Sequence, residues 1–133
     1  RKSLNSPKKI YIIDPAFTQI IGFNFSPNIG KNIENVIFIE LKRRKKEVYY
    51  FAEKNECDFV IKEDAGITKA IQVCHNLNKE NRNREINGLI EALNKFKLKE
   101  GFIITSDQEE EFQEENKKIK VIPVWRWLLE SFG

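Results

Sequence analysis

The stretch ECDFVIKEDAGITKAIQVCH, residues 56–75, decides the fold that we expect for this chain. Apolar and polar side chains alternate over residues 57–61 and again over 70–74, which predicts two strands around a polar loop. If these strands pair antiparallel with their apolar residues on one side, Asp58 faces the same direction as Gln72 and Cys74. A carboxylate buried there without a partner would be costly, so Asp58 is predicted at a sheet edge, in a cleft or on a ligand.

The bulk composition predicts one folded, water-soluble domain. The chain has 133 residues, of which 41% are hydrophobic and 32% charged, values typical of globular proteins rather than disordered ones. No apolar run approaches the roughly 20 residues of a membrane helix. Two cysteines, Cys57 and Cys74, are too few for a disulfide scaffold and favour a reducing cytoplasm. The alternation above puts them on opposite faces of the hairpin, so we expect no bond between them.

The charge of the chain is unevenly distributed. The net charge is +3, and residues 107–115 contribute six acidic side chains and no basic ones, so the rest of the chain carries +9. A basic body is compatible with a nucleic-acid partner. It is also typical of lysine-rich proteins without such a partner.

The remaining elements can be predicted from periodicity and turn residues. Residues 1–8 are expected to be a linker from a preceding domain, and residues 9–133 a single domain. The expected elements, in chain order, are a strand over 9–13, a helical turn over 16–22, a helix over 32–44, a strand over 47–51, the central hairpin, a helix from 78 to a cap at Gly101, a strand over 102–105, an acidic loop over 107–115, a strand over 118–124 and a helix over 125–132. In the last helix we expect Trp125, Leu128, Leu129 and Phe132 to pack on the sheet.

This order resembles a known family. A helix, three strands, a helix and a strand, with an acid on the second strand and a polar pair two residues apart on the third, resemble the core of the PD-(D/E)XK nuclease superfamily. The segments KIYIIDPAF, GKNIENVIFIELKRR, EVYYF, ECDFV, IQVCH and KVIPVWRWLL together resemble the C-terminal domain of unknown function of prokaryotic AAA-type ATPases. The resemblance implies an α/β fold, with a mixed central sheet flanked by helices and a restriction-endonuclease-like αβββαβ core. It also implies that an ATPase domain and a winged helix precede this domain and are its partners.

The resemblance implies a catalytic site that this chain has partly lost. In the superfamily, carboxylates on the first helix and on strands two and three hold Mg²⁺, which activates water against a phosphodiester. By position, the catalytic residues are Asp58, Gln72 and Glu34, with Asp58 and Glu34 as metal ligands and Glu40 as the alternative helix acid. The Glu-x-Lys motif falls on Gln72-Val73-Cys74. Losing one charge-stabilising group commonly costs about 10²–10³ in rate, so we expect a degenerate site, with Mg²⁺ as cofactor only if the site is functional.

From the basic residues we expect this degenerate nuclease-like domain to associate with nucleic acid, and a protein-docking domain is the alternative. Lys42, Arg43, Arg44, Arg82 and Arg84 are the predicted nucleic-acid contacts, although the helix dipole, capping and solvation also explain them. Convergence of these cations around Asp58 would favour association with DNA. Their dispersal would favour a docking domain for the ATPase or a partner protein. A working Mg²⁺ nuclease that uses Gln72 in place of an acid is the third alternative.

Overall fold

A computed structural model describes residues 9–12 and 28–130 of the chain, with backbone alone for residues 9–12. The predicted linker over 1–8 and the predicted helical turn over 16–22 lie outside the described residues. The helices are α1 (Ile29–Arg43), α2 (Arg82–Lys95) and α3 (Val124–Leu129). The strands are β1 (Lys9–Ile12), β2 (Glu47–Ala52), β3 (Glu56–Glu63), β4 (Gly66–Val73), β5 (Glu100–Thr105), β6 (Glu110–Glu114) and β7 (Lys117–Pro123).

All seven of these strands form one mixed sheet, in the order β1-β2-β3-β4-β5-β7-β6. The pairs β4–β5 and β5–β7 are parallel, and the others are antiparallel. A parallel step needs a crossover, and α2 supplies it between β4 and β5. The predicted α/β class is therefore confirmed, and α1 through β5 follow the order αβββαβ.

The two long helices cover opposite faces of the sheet. Ile33, Ile37 and Leu41 recur every four residues along α1, and this stripe packs with Phe59 and Ile71 in one core cluster. On α2, a corresponding stripe packs into a second cluster on the other face. Asn28 is the N-cap of α1, and its side chain accepts a hydrogen bond from the backbone N–H of Lys31 at 3.1 Å. Because each helix buries one face only, the sheet is the middle of three layers.

A β-bulge interrupts the regular alternation of β3. Tyr49 of β2 lies opposite Val60, whereas Phe51, two residues later, lies opposite Cys57, three residues earlier. The extra residue shifts the side chains at the start of β3 to the other face. Cys57 and Cys74 consequently share the core cluster beneath α2. Both thiols are free, as predicted, but the prediction that they lie on opposite faces was wrong.

The predicted end of α2 was also wrong. The helix ends at Lys95, and the residue with left-handed backbone is Lys97, with φ 57°. Gly101 lies within β5, where an added Cβ would come 2.9 Å from Leu89 Cδ1. The glycine is therefore explained by close helix–sheet packing rather than by a helix cap.

Two segments near the C-terminus also differ from expectation. The acidic segment predicted as a loop contains β6, which pairs antiparallel with β7. In α3, Leu128 packs against the core as expected, whereas Trp125 is 57% and Leu129 81% exposed, and Trp127 is the buried tryptophan. Phe132, which was also predicted to pack on the sheet, lies outside the described residues.

Candidate functional site

A polar cleft opens beside the bulge, where the start of β3 meets α2. Its volume is about 360 Å³. The lining residues come from the β2–β3 turn, the two central strands and the first turn of α2, and are Lys54, Asn55, Glu56, Asp58, Gln72, Arg84 and Glu85. The cleft thus contains two of the three predicted catalytic residues.

The side-chain amide of Gln72 forms hydrogen bonds with three backbone groups at the cleft. Its Oε1 accepts from the backbone N–H of Asp58 at 2.9 Å. Its Nε2 donates to the backbone carbonyls of Glu56 at 2.8 Å and Glu85 at 3.0 Å. Both N–H donors are therefore used, and the amide orientation follows from its partners. With the side chain 2% exposed, Gln72 joins β4 to β3 and to α2.

Asp58 makes the reciprocal contact between the two strands. Its Oδ2 accepts from the backbone N–H of Val73 at 2.8 Å. At the bulge, the side chains of Asp58 and Gln72 thus bond backbone groups of the opposing strand. This is the physical reason that a carboxylate can be held inside an apolar sheet.

Close packing of α2 depends on a glycine beside this network. A Cβ on Gly88 would lie 2.0 Å from the carbonyl oxygen of Glu56 and 2.6 Å from Gln72 Nε2. The missing side chain lets the helix approach closely enough for Gln72 to reach the Glu85 carbonyl. Gly88 was not predicted as part of the site, because a glycine within a helical pattern does not indicate which strand lies beneath it.

The carboxylates around the cleft share an unfavourable electrostatic environment. Burial raises the pKa of Asp58 to about 8, with Glu34, Glu85 and Glu56 adding to the rise and the bond from Val73 opposing it. Burial also raises the pKa of Glu34, against the influence of Lys31. The pKa of Glu85 is raised by burial too, although Arg84 lies 3.1 Å away. Asp58 is therefore largely protonated at neutral pH, when it can donate a hydrogen bond but carries little charge.

Tyr50 joins this group without having been predicted. Burial raises the pKa of its hydroxyl, and so does a hydrogen bond with Glu56; the charges of Asp58 and Glu34 act in the same direction. The alternation of EVYYF does turn Tyr50 and Tyr49 to opposite faces, but it does not indicate which face adjoins Asp58. Glu56 and Glu85 were not predicted either, because the sequence does not indicate which faces of their elements adjoin Asp58.

The structure distinguishes the two candidate helix acids. Glu34 lies close enough to Asp58 to affect its pKa. Glu40 lies near the other end of α1 and pairs with Arg43 at 2.6 Å and Arg44 at 2.7 Å. Hydrogen bonds from Arg43 and Arg44 lower the pKa of Glu40 to about 2. Glu34, and not Glu40, is the acid of α1 whose charge reaches Asp58, although it does not line the cleft.

These residues do not fit a magnesium centre. Mg²⁺ needs several oxygen ligands around one point, and in the described ranges no three His, Cys, Asp or Glu side chains are grouped to hold a metal ion. The oxygen that Gln72 would offer already accepts from the Asp58 N–H.

The predicted nucleic-acid contacts are dispersed. Lys42, Arg43 and Arg44 lie at the end of α1, where Arg44 also stacks over Trp127 at 5.1 Å. Arg82 pairs with Glu110 at 2.7 Å, next to β6. Of the five predicted cations, Arg84 alone lines the cleft, and Lys54 joins it there.

The comparisons with known proteins identify one relative. The chain is 35% identical over 142 aligned positions to an uncharacterized protein, MJ1544, of Methanocaldococcus jannaschii. The alignment covers 93% of this chain but only 30% of that protein. No protein-family profile matches the chain, and no solved structure matches it. In the described part of the chain, no helix combines the length and hydropathy needed to cross a bilayer.

Proposed function

We propose that this chain is a catalytically inactive domain of the PD-(D/E)XK nuclease-like superfamily, which serves for docking within a longer protein. The αβββαβ order supports the assignment, as does the joint position of Asp58, Gln72 and Glu34. By the resemblance given above, the longer protein is a prokaryotic AAA-type ATPase with P-loop and winged-helix regions. Two free thiols fit a cytoplasmic location.

The observation that carries the proposal is the engagement of the Gln72 amide. A catalytic glutamate at this position would need its oxygens directed at a metal. Gln72 instead directs its nitrogen at two carbonyl oxygens, which a carboxylate could not replace without repulsion. The position has therefore become structural. Cys74, in the place of the catalytic lysine, is buried in the core and offers no cation.

Docking is favoured over nucleic-acid binding by the arrangement of the cations. Arg43, Arg44, Arg82 and Arg84 each form an ion pair with a glutamate of this chain. A phosphate backbone would have to compete with these partners at several separate places on the surface. Such an arrangement differs from the continuous basic patch of a nucleic-acid-binding protein.

The proposal can be tested by incubating the protein with plasmid DNA and Mg²⁺ or Mn²⁺. We expect no cleavage above the background of an Asp58→Ala variant purified in the same way. Supercoiled, nicked and linear DNA are separated on an agarose gel over a time course. Cleavage by the wild-type protein that the substitution abolishes would overturn the proposal and establish a nuclease that works with Gln72.

Association with DNA is the second candidate, and Arg84 and Lys54 at the cleft favour it. Fluorescence anisotropy with labelled duplex DNA at increasing salt would test it, since phosphate contacts weaken steeply with salt. The docking proposal predicts weak binding that Arg84→Gln and Lys54→Gln leave unchanged. Salt-sensitive binding that either substitution weakens would favour nucleic-acid association instead.

A further inference from the structure

The strand β6 forms one end of the sheet. It pairs with β7 through residues 110–114, and no other strand in the described ranges pairs with it. The open edge of such a strand presents unpaired backbone N–H and C=O groups that another chain can bind. Four of the five β6 residues are also exposed to solvent.

The edge is held in a strand conformation before any partner binds. Glu115 and Asn116 both have positive φ, 50° and 64°, which is typical of a two-residue turn joining paired strands. Phe112 is half-buried against the core, and the guanidinium of Arg82 lies 4.7 Å from its ring centre. A partner would therefore meet a preformed template.

The charge of this edge indicates the chemistry of the partner. Residues 107–115 carry −6, on a chain whose remainder carries +9. Glu109, Glu110 and Glu111 each form an ion pair within the chain. Asp107, Glu114 and Glu115 form no ion pair with any described residue and are exposed. These three carboxylates can meet cations from outside.

We propose that β6 is a docking edge for an extended, basic segment of a partner protein, which adds to the sheet as a further strand. Backbone hydrogen bonds would supply affinity, and lysine or arginine side chains opposite the glutamates would supply selectivity. This inference deepens the proposed docking function and depends on it. It names the surface used and the chemistry of the segment bound.

The experiment uses the full chain and three labelled synthetic peptides of about ten residues, the length of a docked strand. One alternates lysine with threonine, one alternates glutamate with threonine, and one repeats the lysine sequence with alternate backbone nitrogens methylated. Anisotropy measures affinity, and hydrogen exchange reports protection of residues 110–114. We expect the lysine peptide to bind and protect β6, and the other two peptides to bind at least about tenfold more weakly.

A triple variant, Asp107→Asn with Glu114→Gln and Glu115→Gln, tests the charges. It should weaken binding of the lysine peptide about tenfold, whereas Glu53→Gln with Glu80→Gln, at exposed acids on other elements, should not. Equal binding of the methylated peptide would overturn strand addition, and the absence of binding would overturn the edge as a docking site. Self-association of the protein through β6, seen by sedimentation, would replace the partner with a second copy. None of these substitutions touches the cleft. The plasmid assay of the proposed function therefore gives its result independently of the peptide-binding assay.

Discussion

The cleft and the basic end of α1, residues 40–46, shift the pKa of acidic side chains in opposite directions. At the cleft, Asp58 is affected by the charges of neighbouring carboxylates, among them Glu34 of α1, and burial raises the pKa of both Asp58 and Glu34. At the basic end of α1, hydrogen bonds from Arg43 and Arg44 lower the pKa of Glu40 to about 2. Nearby, Lys46, Thr68 and Lys69 lower the pKa of Glu63 to about 2.

The difference shows that a glutamate on α1 does not by itself indicate whether it lies near the candidate site. Glu34 and Glu40 belong to the same helix, yet one destabilises its ionised neighbour and the other is stabilised by two arginines. Carboxylates held near one another are common at functional sites. Here, however, the amide of Gln72 uses both of its N–H donors on backbone carbonyls and accepts from a backbone N–H, which favours a structural role for the cleft.

The largest expected effect is that of Gln72→Glu. The new carboxylate would face the carbonyl oxygens of Glu56 and Glu85, and we expect the free energy of unfolding to fall by about 3 kcal/mol. Chemical denaturation measures the change, with Gln113→Glu on the exposed face of β6 as the control. Unchanged stability, or stabilisation of the variant by Mg²⁺, would mean that the cleft can still hold a metal and that our reading of Gln72 is wrong.

A smaller effect is expected from Asp58→Asn, and it should depend on pH. The pKa of Asp58 is about 8 in the folded protein and about 3.8 when unperturbed. The folded state keeps a proton that the unfolded state releases, so this group lowers stability as pH rises from about 4 to about 8. Asparagine cannot ionise but can still accept from Val73.

We therefore expect Asp58→Asn to match the wild-type protein near pH 4 and to exceed it by at least about 2 kcal/mol at pH 9. Thermal unfolding across this range measures the difference, and Asp107→Asn, at an exposed position, serves as the control. A difference that stays constant with pH would show that Asp58 is already ionised in the folded protein.

The smallest effect is expected at the basic end of α1. The hydrogen bonds that lower the pKa of Glu40 stabilise the fold above pH 4.5, where this carboxyl group is ionised. Their contribution is lost as the pH falls through about 2. Glu40→Gln should cost about 0.5 kcal/mol at pH 7 in low salt and less in high salt, because the ion pairs lie near the surface. Glu34→Gln, on the same helix, should cost nothing or stabilise slightly. Equal losses from the two substitutions would contradict the distinction drawn between them.

Much of the fold could be predicted because hydrophobic periodicity reports secondary structure directly. The central hairpin, helix α1 and the strands at 47–51 and 102–105 were predicted at positions close to those observed, whereas α2 was predicted as a helix with bounds that were too wide. The faces of Cys57 and Cys74 could not be predicted, because one bulge residue in β3 inverts the alternation. Strand β6 was missed because its exposed acidic residues lack an alternating pattern, and β7 alone brings it into the sheet.

The candidate site was predicted in part. Asp58 and Gln72 were expected to place their side chains on the same side of the hairpin. The contact seen joins the backbone N–H of Asp58 to the Gln72 side chain, so the shared side of the two side chains stays a prediction. Their use was not predictable, since the partners of Gln72 are backbone carbonyls on another strand and on a helix. Tyr50, Glu85 and Gly88 come to the cleft from separate elements, so no local pattern connects them with Asp58.

The sequence by itself determined the class of the fold, the order of its elements apart from β6, and the pairing of its central hairpin, because these follow from local periodicity and turn residues. Only the tertiary structure decided which glutamate of α1 approaches Asp58, which cations remain near it and that the Gln72 amide is engaged. The physical reason is that burial, hydrogen-bond partners and the pKa of a carboxyl group depend on side chains and backbone brought together from distant parts of the chain.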